Sequence, residues 1–495
     1  MIMIDFNKLN EYRENNRIEV KSAQGGLPQS IWETYSAFAN TNGGVILLGV
    51  EEKSDKSLKA LGLSNPEKLI ADFWSIINNP QKVNMNILFD RHVYIKEIDG
   101  ECVIIIEVPR ADKTEKPIFL NEKPFAETYR RNGDGDFHCS ESLVLAMFRD
   151  KSDVTQDMLV LEKMTVDVFD YTSLRGYRNR MKATRPDHVW ENLDDIEFLR
   201  KLGAVGIGDD KKLHPTAAGL LMFGNEYEIL REYPQYFIDY QEKYDADVRY
   251  TDRIISGSGE WSGNINDFYF KAYNKLIQNP KIKIPFKMKD GMQRTDDTPI
   301  HKALREALAN CLTNADFYGP RGLVIRNNLN EIIMENPGGF RIEISEAKSG
   351  GISSPRNSVI LRMFNMLDIG ERTGSGIPSI YQNWQEQGAG APEYKELFNP
   401  DRTILTLPLD SENKVINFAN DNESGDKQKV AISDIKKQMI INYLNENDIC
   451  KASEISALLQ VNASRTKVYL QELVADGIVV AEGANRNRTY RLTAE

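Results

Sequence analysis

One stretch of the chain places a carboxylate and several side-chain amides at helical spacing. Residues 301–318 read HKALREALANCLTNADFY. At 3.6 residues per turn, Glu306, Asn310 and Asn314 share one face of a helix, and apolar side chains cover the opposite face. An asparagine oxygen suits Mg²⁺, and a glutamate can orient or deprotonate an attacking water. The pattern therefore predicts a magnesium–phosphate site, although the same spacing is also typical of an ordinary solvated helix face.

The composition is typical of a globular chain with several domains. The chain has 495 residues, of which 41% are hydrophobic and 27% charged, and this length corresponds to about three or four domains. It contains no apolar run of membrane-spanning length and no signal pattern, so we expect a cytoplasmic protein. The net charge of −11 argues against indiscriminate coating of nucleic acid, but it allows a small DNA-reading module with a basic face.

The first 150 residues predict a mixed α/β domain. A helix over residues 29–40 is followed by a buried strand over residues 45–50, and two further strands meet at a turn at Asp99 and Gly100. The motifs ENNRIEVKSA and AFANTNGGVILLGVEE resemble the AlbA_2 domain, a divergent DNA-binding domain shared with the Schlafen core. The resemblance covers about 130 residues and implies contact with nucleic acid.

The same resemblance implies a candidate nuclease site. In nuclease-active Schlafen proteins, two glutamates before the helix and an acidic residue after the strand form the active site. The matching positions here are Glu14, Glu19 and either Glu51 or Glu52. Three converging carboxylates could hold a divalent metal that activates water, although charged strand ends are also common on soluble surfaces.

Residues 151–290 predict a mixed connecting region of helices and strands. Residues 158–163 and 194–202 have helical patterns, and residues 213–224 predict a helix entered through Pro215. Residues 236–242 predict a strand. No phosphate-binding GxxxxGK[ST] motif is present, so the glycines of this region indicate loops.

The order of elements in residues 291–410 resembles the GHKL ATPase fold of gyrase, Hsp90, histidine kinases and MutL. A hairpin over residues 323–335 leads into the sequence NPGG, and a GSG sequence precedes a helix over residues 379–387. The resemblance is to the variant that follows AlbA_2 domains. It implies an α/β sandwich that binds ATP and Mg²⁺, with residues 344–370 forming a lid.

The GHKL resemblance assigns roles to particular residues. It implies that Glu306 activates water and that Asn310 binds the magnesium ion. The nucleotide-binding positions are Asn310, Asn314, Asn336, Gly338, Gly339, Thr373, Gly374, Ser375 and Gly376. Asn314 stands where this variant has a histidine, and Asn336 stands where an adenine-binding aspartate is expected. These departures favour ATP binding over hydrolysis.

The C-terminal residues resemble a winged helix-turn-helix domain. Residues 411–430 are polar and predict a linker, and residues 431–495 predict three helices and two strands. The candidate DNA contacts are Ser464, Arg465 and Lys467 on the third helix, Arg486 and Arg488 in the wing, and Arg130 and Arg131 of the first domain. Winged helices also serve as dimerisation modules, and the two arginines of the first domain could equally be solvated.

Together these patterns predict a multidomain α+β protein. It comprises an AlbA_2/Schlafen-like α/β domain (1–150), a mixed connecting region (151–290), a GHKL-like α/β sandwich (291–410), a linker (411–430) and a winged helix-turn-helix (431–495). We expect a homo-oligomeric, nucleotide-responsive DNA-binding regulator, with RNA as an alternative nucleic acid. The rival hypotheses are an ATP-gated metal-dependent nuclease and an ATPase that works on DNA. The lack of a Walker A motif argues against a motor of the usual helicase type.

Overall fold

The architecture comes from a computed structural model, which describes most of the chain up to residue 409 and parts of the remainder. The described residues are 6–245, 248–282, 288–289, 293–294, 298–370, 374–385, 390–398, 400–409, 440, 443–444, 447, 450–452, 454–455, 463–475, 478–482 and 488–493. The contacts divide the chain into two units, 1–413 and 414–495. The predicted linker, residues 411–430, lies outside the described residues.

The N-terminal domain contains a four-stranded sheet and two separate hairpins. The eight strands of the domain are β1 (Ile18–Lys21), β2 (Gly44–Leu48), β3 (Val50–Glu52), β4 (Leu58–Ala60), β5 (Val93–Ile98), β6 (Glu101–Val108), β7 (Tyr129–Asn132) and β8 (Gly135–His138). Its helices are α1 (Ile31–Asn40), α2 (Pro66–Ile77) and α3 (Glu141–Lys151). The sheet order is β1-β2-β6-β5, with β1 parallel to β2, and β3–β4 and β7–β8 form separate hairpins.

Both faces of this sheet are buried, because alternate residues of its central strands enter two apolar clusters. Ile46 and Ile104 pack on the side of α1, while Leu47 and Ile105 pack on the opposite side. The predicted helix and the hairpin around Asp99 are confirmed by α1, β5 and β6. The continuous apolar run of β2 is explained by burial on both faces.

The following residues up to 409 contain helices and a second, larger sheet. The helices are α4 (Tyr171–Thr184), α5 (Asp195–Leu202), α6 (Ala217–Phe223), α7 (Glu226–Glu232), α8 (Ile265–Leu276), α9 (Pro299–Thr313), α10 (Ile344–Ser349), α11 (Ser358–Asn365) and α12 (Gly376–Gln385). The strands are β9 (Val205–Ile207), β10 (Leu213–Pro215), β11 (Ile238–Lys243), β12 (Asp252–Ile255), β13 (Met288–Lys289), β14 (Gln293–Arg294), β15 (Leu323–Asn328), β16 (Glu331–Pro337), β17 (Glu393–Leu397) and β18 (Arg402–Pro408).

The large sheet has the order β12-β11-β15-β16-β18-β17, and β11 and β15 are its parallel pair. Strands β11 and β12 precede residue 290, so the boundary predicted there does not separate two folded layers. One apolar cluster runs from Leu161 to Leu407 and includes both sides of that boundary. Sequence could not reveal this, because the pairing of β11 with β15 joins residues more than eighty positions apart.

Two local predictions are corrected. Residues 158–163 are not helical beyond Met158, which ends a short 3₁₀ turn, Gln156–Met158. The pattern predicts a helix as far as Tyr318, but α9 ends at Thr313. Asn314 caps the helix, because its backbone N–H donates to the Asn310 carbonyl. Residues 315–318 then turn toward β15, and the backbone N–H of Asp316 donates to the carbonyl of Pro337.

The second unit contains a helix followed by a hairpin. Its described elements are β19 (Cys450–Lys451), α13 (Ala463–Ala475), β20 (Val479–Glu482) and β21 (Thr489–Leu492), and the strands form a sheet of order β19-β21-β20. These elements agree with the predicted third helix and wing strands, while most of the first two predicted helices lies outside the described residues. Within the described parts of the chain, no helix is long and apolar enough to cross a membrane.

Candidate functional site

Helix α9 carries the central residues of the site. Pro299 occupies its first turn, and the apolar side chains Leu304, Leu308 and Leu312 are fully buried against the core. The opposite face carries Glu306, of which 9% is exposed, and Asn310. The burial of one face therefore fixes the direction in which the carboxylate and the amide project.

The structure brings most of the predicted nucleotide-binding positions into one cleft, which we call the α9 cleft. It encloses about 900 Å³ of space, which includes solvent at its mouth. The predicted positions that line it are Glu306, Asn310, Asn314, Asn336, Gly339, Gly374 and Gly376. These residues come from two helices, a strand and the loops beside them, so the tertiary fold is needed to assemble them.

The start of α12 lies directly against the α9 carboxylate. A Cβ added to Gly376 would lie 2.0 Å from Oε1 of Glu306 and 3.1 Å from Nδ2 of Asn310. Asn310 Nδ2 donates to that same Oε1 at 3.2 Å. A side chain at position 376 would therefore displace the Glu306 carboxylate from the N-terminus of α12. Free N–H groups at such a helix start favour an anion.

Asn314 lines the cleft, but its amide is engaged by its own helix. Its Nδ2 donates to the carbonyl of Asn310 at 2.9 Å, at the end of α9. The carbonyl oxygen of Asn314 accepts from Arg356 of the lid. These contacts give Asn314 a capping role in this structure, because they satisfy carbonyls that the helix end leaves without partners.

Strand β16 and its neighbour β18 close the other side of the cleft. Asn336 is 4% exposed, and its Nδ2 donates to the carbonyl of Pro337 at 3.3 Å. Thr403 lies opposite Asn336 in the β16–β18 register, and its hydroxyl donates to the carbonyl of Gly338 at 2.9 Å. No sequence motif marks Thr403, because only strand pairing shows that it lies opposite Asn336.

The lid packs onto the glycine turn that precedes α12. Gly374 has φ +74°, and a Cβ there would lie 2.6 Å from the backbone nitrogen of Ile352. The N–H of Gly351 donates to the carbonyl of Gly374 at 3.3 Å. Ser375 lies in the same turn, and its carbonyl accepts from Ser379, whereas Thr373 lies outside the described residues.

Two hydroxyl groups of the α9 cleft are buried and have no hydrogen-bond partner among the residues that the structure describes. They belong to Ser354 of the lid and Tyr394 of β17. Burial raises the pKa of Tyr394, with smaller contributions from Tyr381, Cys311 and Glu306. A buried polar atom without a partner is unusual in a folded protein, so both atoms are suited to contact a bound ligand. Neither residue belongs to a recognisable motif.

These groups fit ATP and Mg²⁺ chemically. The oxygen atoms of Glu306 and Asn310 are of the type that Mg²⁺ prefers. A phosphate that enters beside the Glu306 carboxylate needs a cation between the two negative charges. Apolar side chains, among them Met334, Ile352 and Leu405, supply a wall suitable for a base.

Gly338 belongs to a second cleft and does not line the first. Its φ is +91°, and a Cβ would lie 2.6 Å from Nη1 of Arg356. Gly339 lines both clefts. Of the two glycines predicted to follow Asn336, Gly339 therefore faces the α9 cleft, and Gly338 permits close packing of the lid arginine.

The four candidate nuclease glutamates do not assemble into a metal site. In the part of the chain that the structure describes, no group of three or more His, Cys, Asp or Glu side chains is arranged to hold a metal ion. Glu19 bonds Lys21 at 2.7 Å and Arg131 at 2.7 Å. Glu52 pairs with Lys56 at 2.9 Å, and Glu51 faces Lys59 across the β3–β4 hairpin.

Glu14 lies near these residues but binds the backbone. Its Oε1 accepts from the N–H of Val20 at 3.1 Å. Burial raises the pKa of Glu14, and the charges of Glu19 and Glu52 raise it further, while the Val20 bond opposes the shift. The cations that engage Glu19 and Glu52 compete with any divalent ion for the same oxygens.

Arg130 and Arg131 are not exposed on a strand end, which corrects the prediction that they face nucleic acid. Arg131 is 3% exposed, and its guanidinium contacts Glu19 at 2.7 Å and Asp136 at 2.9 Å. Arg130 is 7% exposed and forms a two-pronged ion pair with Asp401. Both strand positions are covered because β7 packs against α1 and the neighbouring domain.

The basic residues of the second unit are described in part. Lys467 of α13 is exposed, and Arg488 is exposed with its guanidinium 5.8 Å from the ring centre of Tyr490. The side chains of Ser464 and Arg465 and the whole of Arg486 lie outside the described residues. The two described cations are therefore accessible to a phosphate backbone.

The AFANTNGG motif of the first domain is explained by packing. Asn40 donates to the carbonyls of Ile118 and Tyr129 and accepts from the N–H of Ile118 at 2.9 Å. Gly43 has φ +70°, and a Cβ there would lie 2.7 Å from the carbonyl of Val108. The motif thus joins α1 to the strands that follow it.

Three regions of the chain match family models. Residues 14–140 match the model described as "Schlafen, AlbA_2", and residues 325–406 match "Putative ATP-dependent DNA helicase recG C-terminal". Residues 145–239 match a domain of unknown function, DUF8451. The chain therefore contains a Schlafen-type AlbA_2 domain and a RecG C-terminal-type ATPase domain. The RecG C-terminal match, over residues 325–406, includes Asn336, Gly338, Gly339, Gly374, Gly376 and Thr403.

Similar solved structures come from two bacteria. The DIP2311 protein from Corynebacterium diphtheriae is 16% identical, with a TM-score of 0.39, and the match covers 96% of this chain and 94% of that one. The N-terminal domain of a RecG-related protein from Nitrosomonas europaea is 27% identical, with a TM-score of 0.21, and the match covers 27% of this chain and 90% of that one. No curated protein matches the chain.

Proposed function

We propose that the chain is a DNA-binding protein whose state depends on ATP–Mg²⁺ bound in the α9 cleft. The observation that carries this proposal is the convergence of Glu306, Asn310, Asn336 and Gly376 in one cleft of about 900 Å³. The match of residues 325–406 to a RecG C-terminal ATPase domain supports nucleotide use. The AlbA_2 match and the exposed cations of α13 and the wing support nucleic-acid binding.

Each group of the α9 cleft has a chemical role in this proposal. Asn310 supplies an oxygen to Mg²⁺, and the N–H groups at the start of α12 bind phosphate. Asn336 and Thr403 recognise the base through their amide and hydroxyl. Glu306 orients a water where hydrolysis occurs, which we expect to be slow because the cleft offers no further general base among its described residues.

A lid arginine offers a route from the nucleotide to the N-terminal domain. Arg356 is 8% exposed and donates to the carbonyls of Asn314 and Gly339. Its Nε and Nη2 also bind both carboxylate oxygens of Asp150, at the end of α3, at 2.8 and 2.7 Å. One side chain therefore contacts the end of α9, the loop after β16 and helix α3, which follows the AlbA_2 domain.

The finer proposal is that of a nucleotide-responsive transcriptional regulator. In it, residues 431–495 act as a winged helix, the ATPase domain has the GHKL fold, and the lid takes part in homo-oligomer formation. Ligand binding to such a lid would shift the populations of conformations that differ in DNA affinity.

The first test is isothermal titration with ATP–Mg²⁺, followed by a phosphate-release assay on the same sample. We expect Asn310→Ala to weaken binding at least about tenfold, since it removes a direct metal ligand. Asn383→Ala is the matched control, because Asn383 Nδ2 bonds only Ser379 of its own helix. Wild-type protein that does not bind ATP, or an Asn310→Ala variant that binds as tightly, would overturn the assignment of the cleft.

The second test addresses coupling between nucleotide and DNA. DNA affinity and oligomeric state are measured with and without ATP–Mg²⁺ in wild type and in Asn310→Ala. We expect the nucleotide to change at least one of the two properties in wild type and neither in the variant. If ATP–Mg²⁺ binds but changes neither property, the regulatory part of the proposal fails while the nucleotide site stands.

A further inference from the structure

A second and larger cleft lies between the AlbA_2 region and the ATPase domain. We call it the interdomain cleft; its volume is about 1610 Å³. It is lined by α3, by the loop after β16, by Arg110, Lys113 and Lys116, and by Glu396, Phe398 and Asp401 near the start of β18. Gly339, Phe340 and Arg341 line this cleft and the α9 cleft as well, so the two cavities share a wall.

Cationic side chains outnumber carboxylates in the lining of this cleft. Its cations are Arg110, Lys113, Lys116, Arg130, Arg149, Arg341 and Arg356, and its carboxylates are Asp150, Asp316, Glu396 and Asp401. Each carboxylate is held by an arginine, in the pairs Arg356–Asp150, Arg149–Asp316, Arg110–Glu396 and Arg130–Asp401. Lys113 and Lys116 have no carboxylate at ion-pair distance among the described residues, which leaves the cleft with surplus positive charge.

Lys116 is the more confined of the two lysines. It is partly buried, and its Nζ donates to the carbonyl of Asn40 at 3.2 Å. The pKa of Lys116 is lowered to about 7, chiefly by burial and then by the neighbouring Arg110 and Arg130, against the opposing charges of Glu396 and Asp401. An ammonium group held beside two arginines without an ion-pair partner of its own costs stability, and a bound anion would reduce that cost.

Aromatic rings lie beside these cations. Tyr318, Phe340 and Phe398 line the same cleft, and the guanidiniums of Arg149 and Arg130 lie 5.1 and 5.2 Å from the ring centres of Tyr318 and Phe398. Cations that neutralise phosphate, next to aromatic faces on which a base can stack, are the combination that binds single-stranded nucleic acid.

We propose that the interdomain cleft is a second ligand site, which binds a nucleotide phosphate through Lys113 and Lys116 and its base against the aromatic rings. The ligand is a phosphate ester that carries a base, either a free nucleotide or a nucleotide within a nucleic-acid strand. The cleft is larger than the α9 cleft and has room for a nucleotide. This site is separate from the ATP site of the proposed function and does not depend on it.

The test measures fluorescence anisotropy with two probes, a labelled free dinucleotide and a short labelled single-stranded oligonucleotide. All proteins carry Asn310→Ala, so that the α9 cleft contributes little. We expect Lys116→Gln and Lys113→Gln each to weaken binding of at least one probe about tenfold. For the oligonucleotide, the slope of log K against log salt concentration should become shallower by about 0.7 for each phosphate contact that is lost. Lys123→Gln is the matched control, because Lys123 is 64% exposed and lies on the same domain outside the cleft.

The two probes distinguish the source of the phosphate. If the lysine variants lose affinity only for the dinucleotide, the ligand is a free nucleotide. If they lose affinity only for the oligonucleotide, the ligand is a nucleic-acid strand. Wild-type affinity and salt slope in both lysine variants, for both probes, would overturn the proposal. Thermal unfolding and ATP–Mg²⁺ titration of Lys116→Gln with Asn310 intact show that the variant is folded, and they separate failure of this site from failure of the ATP site.

Discussion

At the scale of single residues, the α9 cleft depends on the close approach of Glu306, Asn310 and Gly376. The backbone at the start of α12 lies so near the carboxylate that any side chain at 376 would overlap it. A carboxylate, an amide and a helix N-terminus in direct contact form a compact place for a cation with its phosphates. The position of the Glu306 carboxylate is therefore sensitive to a methyl group added at residue 376.

We predict that Gly376→Ala weakens ATP–Mg²⁺ binding at least about tenfold, because the new Cβ would lie 2.0 Å from Glu306 Oε1 and must displace it. Gly25→Ala is the control, since a Cβ at Gly25 has no neighbour within 4 Å. Isothermal titration of both variants provides the measurement. Equal affinity in Gly376→Ala and wild type would show that Glu306 need not keep its position.

A second residue-scale prediction concerns Lys116 and pH. Its folded pKa of about 7 lies below its unfolded value, so between pH 7 and 10 the unfolded chain binds one more proton. The stability of wild type should therefore rise with pH relative to Lys116→Met, by at most about 1.4 kcal/mol per pH unit. Denaturant unfolding at pH 7, 8 and 9 measures the difference. Parallel pH profiles would mean that Lys116 is not perturbed in the folded protein.

At the scale of elements, helix α11 of the lid region is held at its start by a residue far away in the chain. Asp157 is fully buried, and its Oδ2 accepts from the N–H groups of Val359 and Ile360 at 2.7 and 3.0 Å. A carboxylate at a helix start satisfies amides that the helix leaves free and favours the dipole. The connecting region thus positions the start of α11, within the segment predicted to form a lid.

We predict that Asp157→Ala lowers the free energy of unfolding by about 2–4 kcal/mol, because it leaves two buried N–H groups without partners. Asp153→Ala, at an exposed position of the same segment, should change it by less than about 0.5 kcal/mol. Urea unfolding of the two variants compares them. A loss of similar size in both would argue that the contact with α11 contributes little.

At the scale of the whole molecule, ion pairs join the AlbA_2 domain and helix α3 to the ATPase domain. Arg110 pairs with Glu396, Arg130 with Asp401, and Asp150 with Arg356. Glu396 also accepts from the N–H of Phe340, in the loop shared by the two clefts. Because these pairs are largely buried, removing one partner leaves a charge that water cannot fully solvate.

We predict that Arg356→Met lowers the free energy of unfolding by about 3–5 kcal/mol, because Asp150 remains buried without its partner. Burial favours protonation of Asp150, but Arg356 and Arg341 outweigh it, so its pKa is lowered in the folded protein. The stabilisation is therefore present at neutral pH and is lost as the pH falls below about 4.

A double-mutant cycle with Asp150→Asn isolates this interaction. We expect the double variant to be more stable than the sum of the single losses implies, with a coupling of about 1–3 kcal/mol. Urea unfolding at pH 7 and at acid pH supplies the values. Additive losses at pH 7 would show that the two side chains stabilise the protein independently.

Local sequence patterns are sufficient to predict single elements and the residues that each element carries. The amphipathic pattern predicted α9 with Glu306 and Asn310 on one face, and the hairpin strands β15 and β16 followed from apolar runs around a turn. Such patterns are visible because the repeats of a helix and a strand depend only on near neighbours in the chain. The glycines at 374 and 376 were likewise visible as residue types, although not the atoms that make glycine necessary there.

The contacts between those elements could be seen only in the tertiary structure. It placed Thr403, Ser354 and Tyr394 in the α9 cleft, buried Arg130 and Arg131 in ion pairs, and extended the large sheet across residue 290. The reason is physical: strand pairing and charge pairing join residues that are distant along the chain, and no local periodicity encodes them. The same long-range packing creates the interdomain cleft and leaves its two lysines without acidic partners among the described residues.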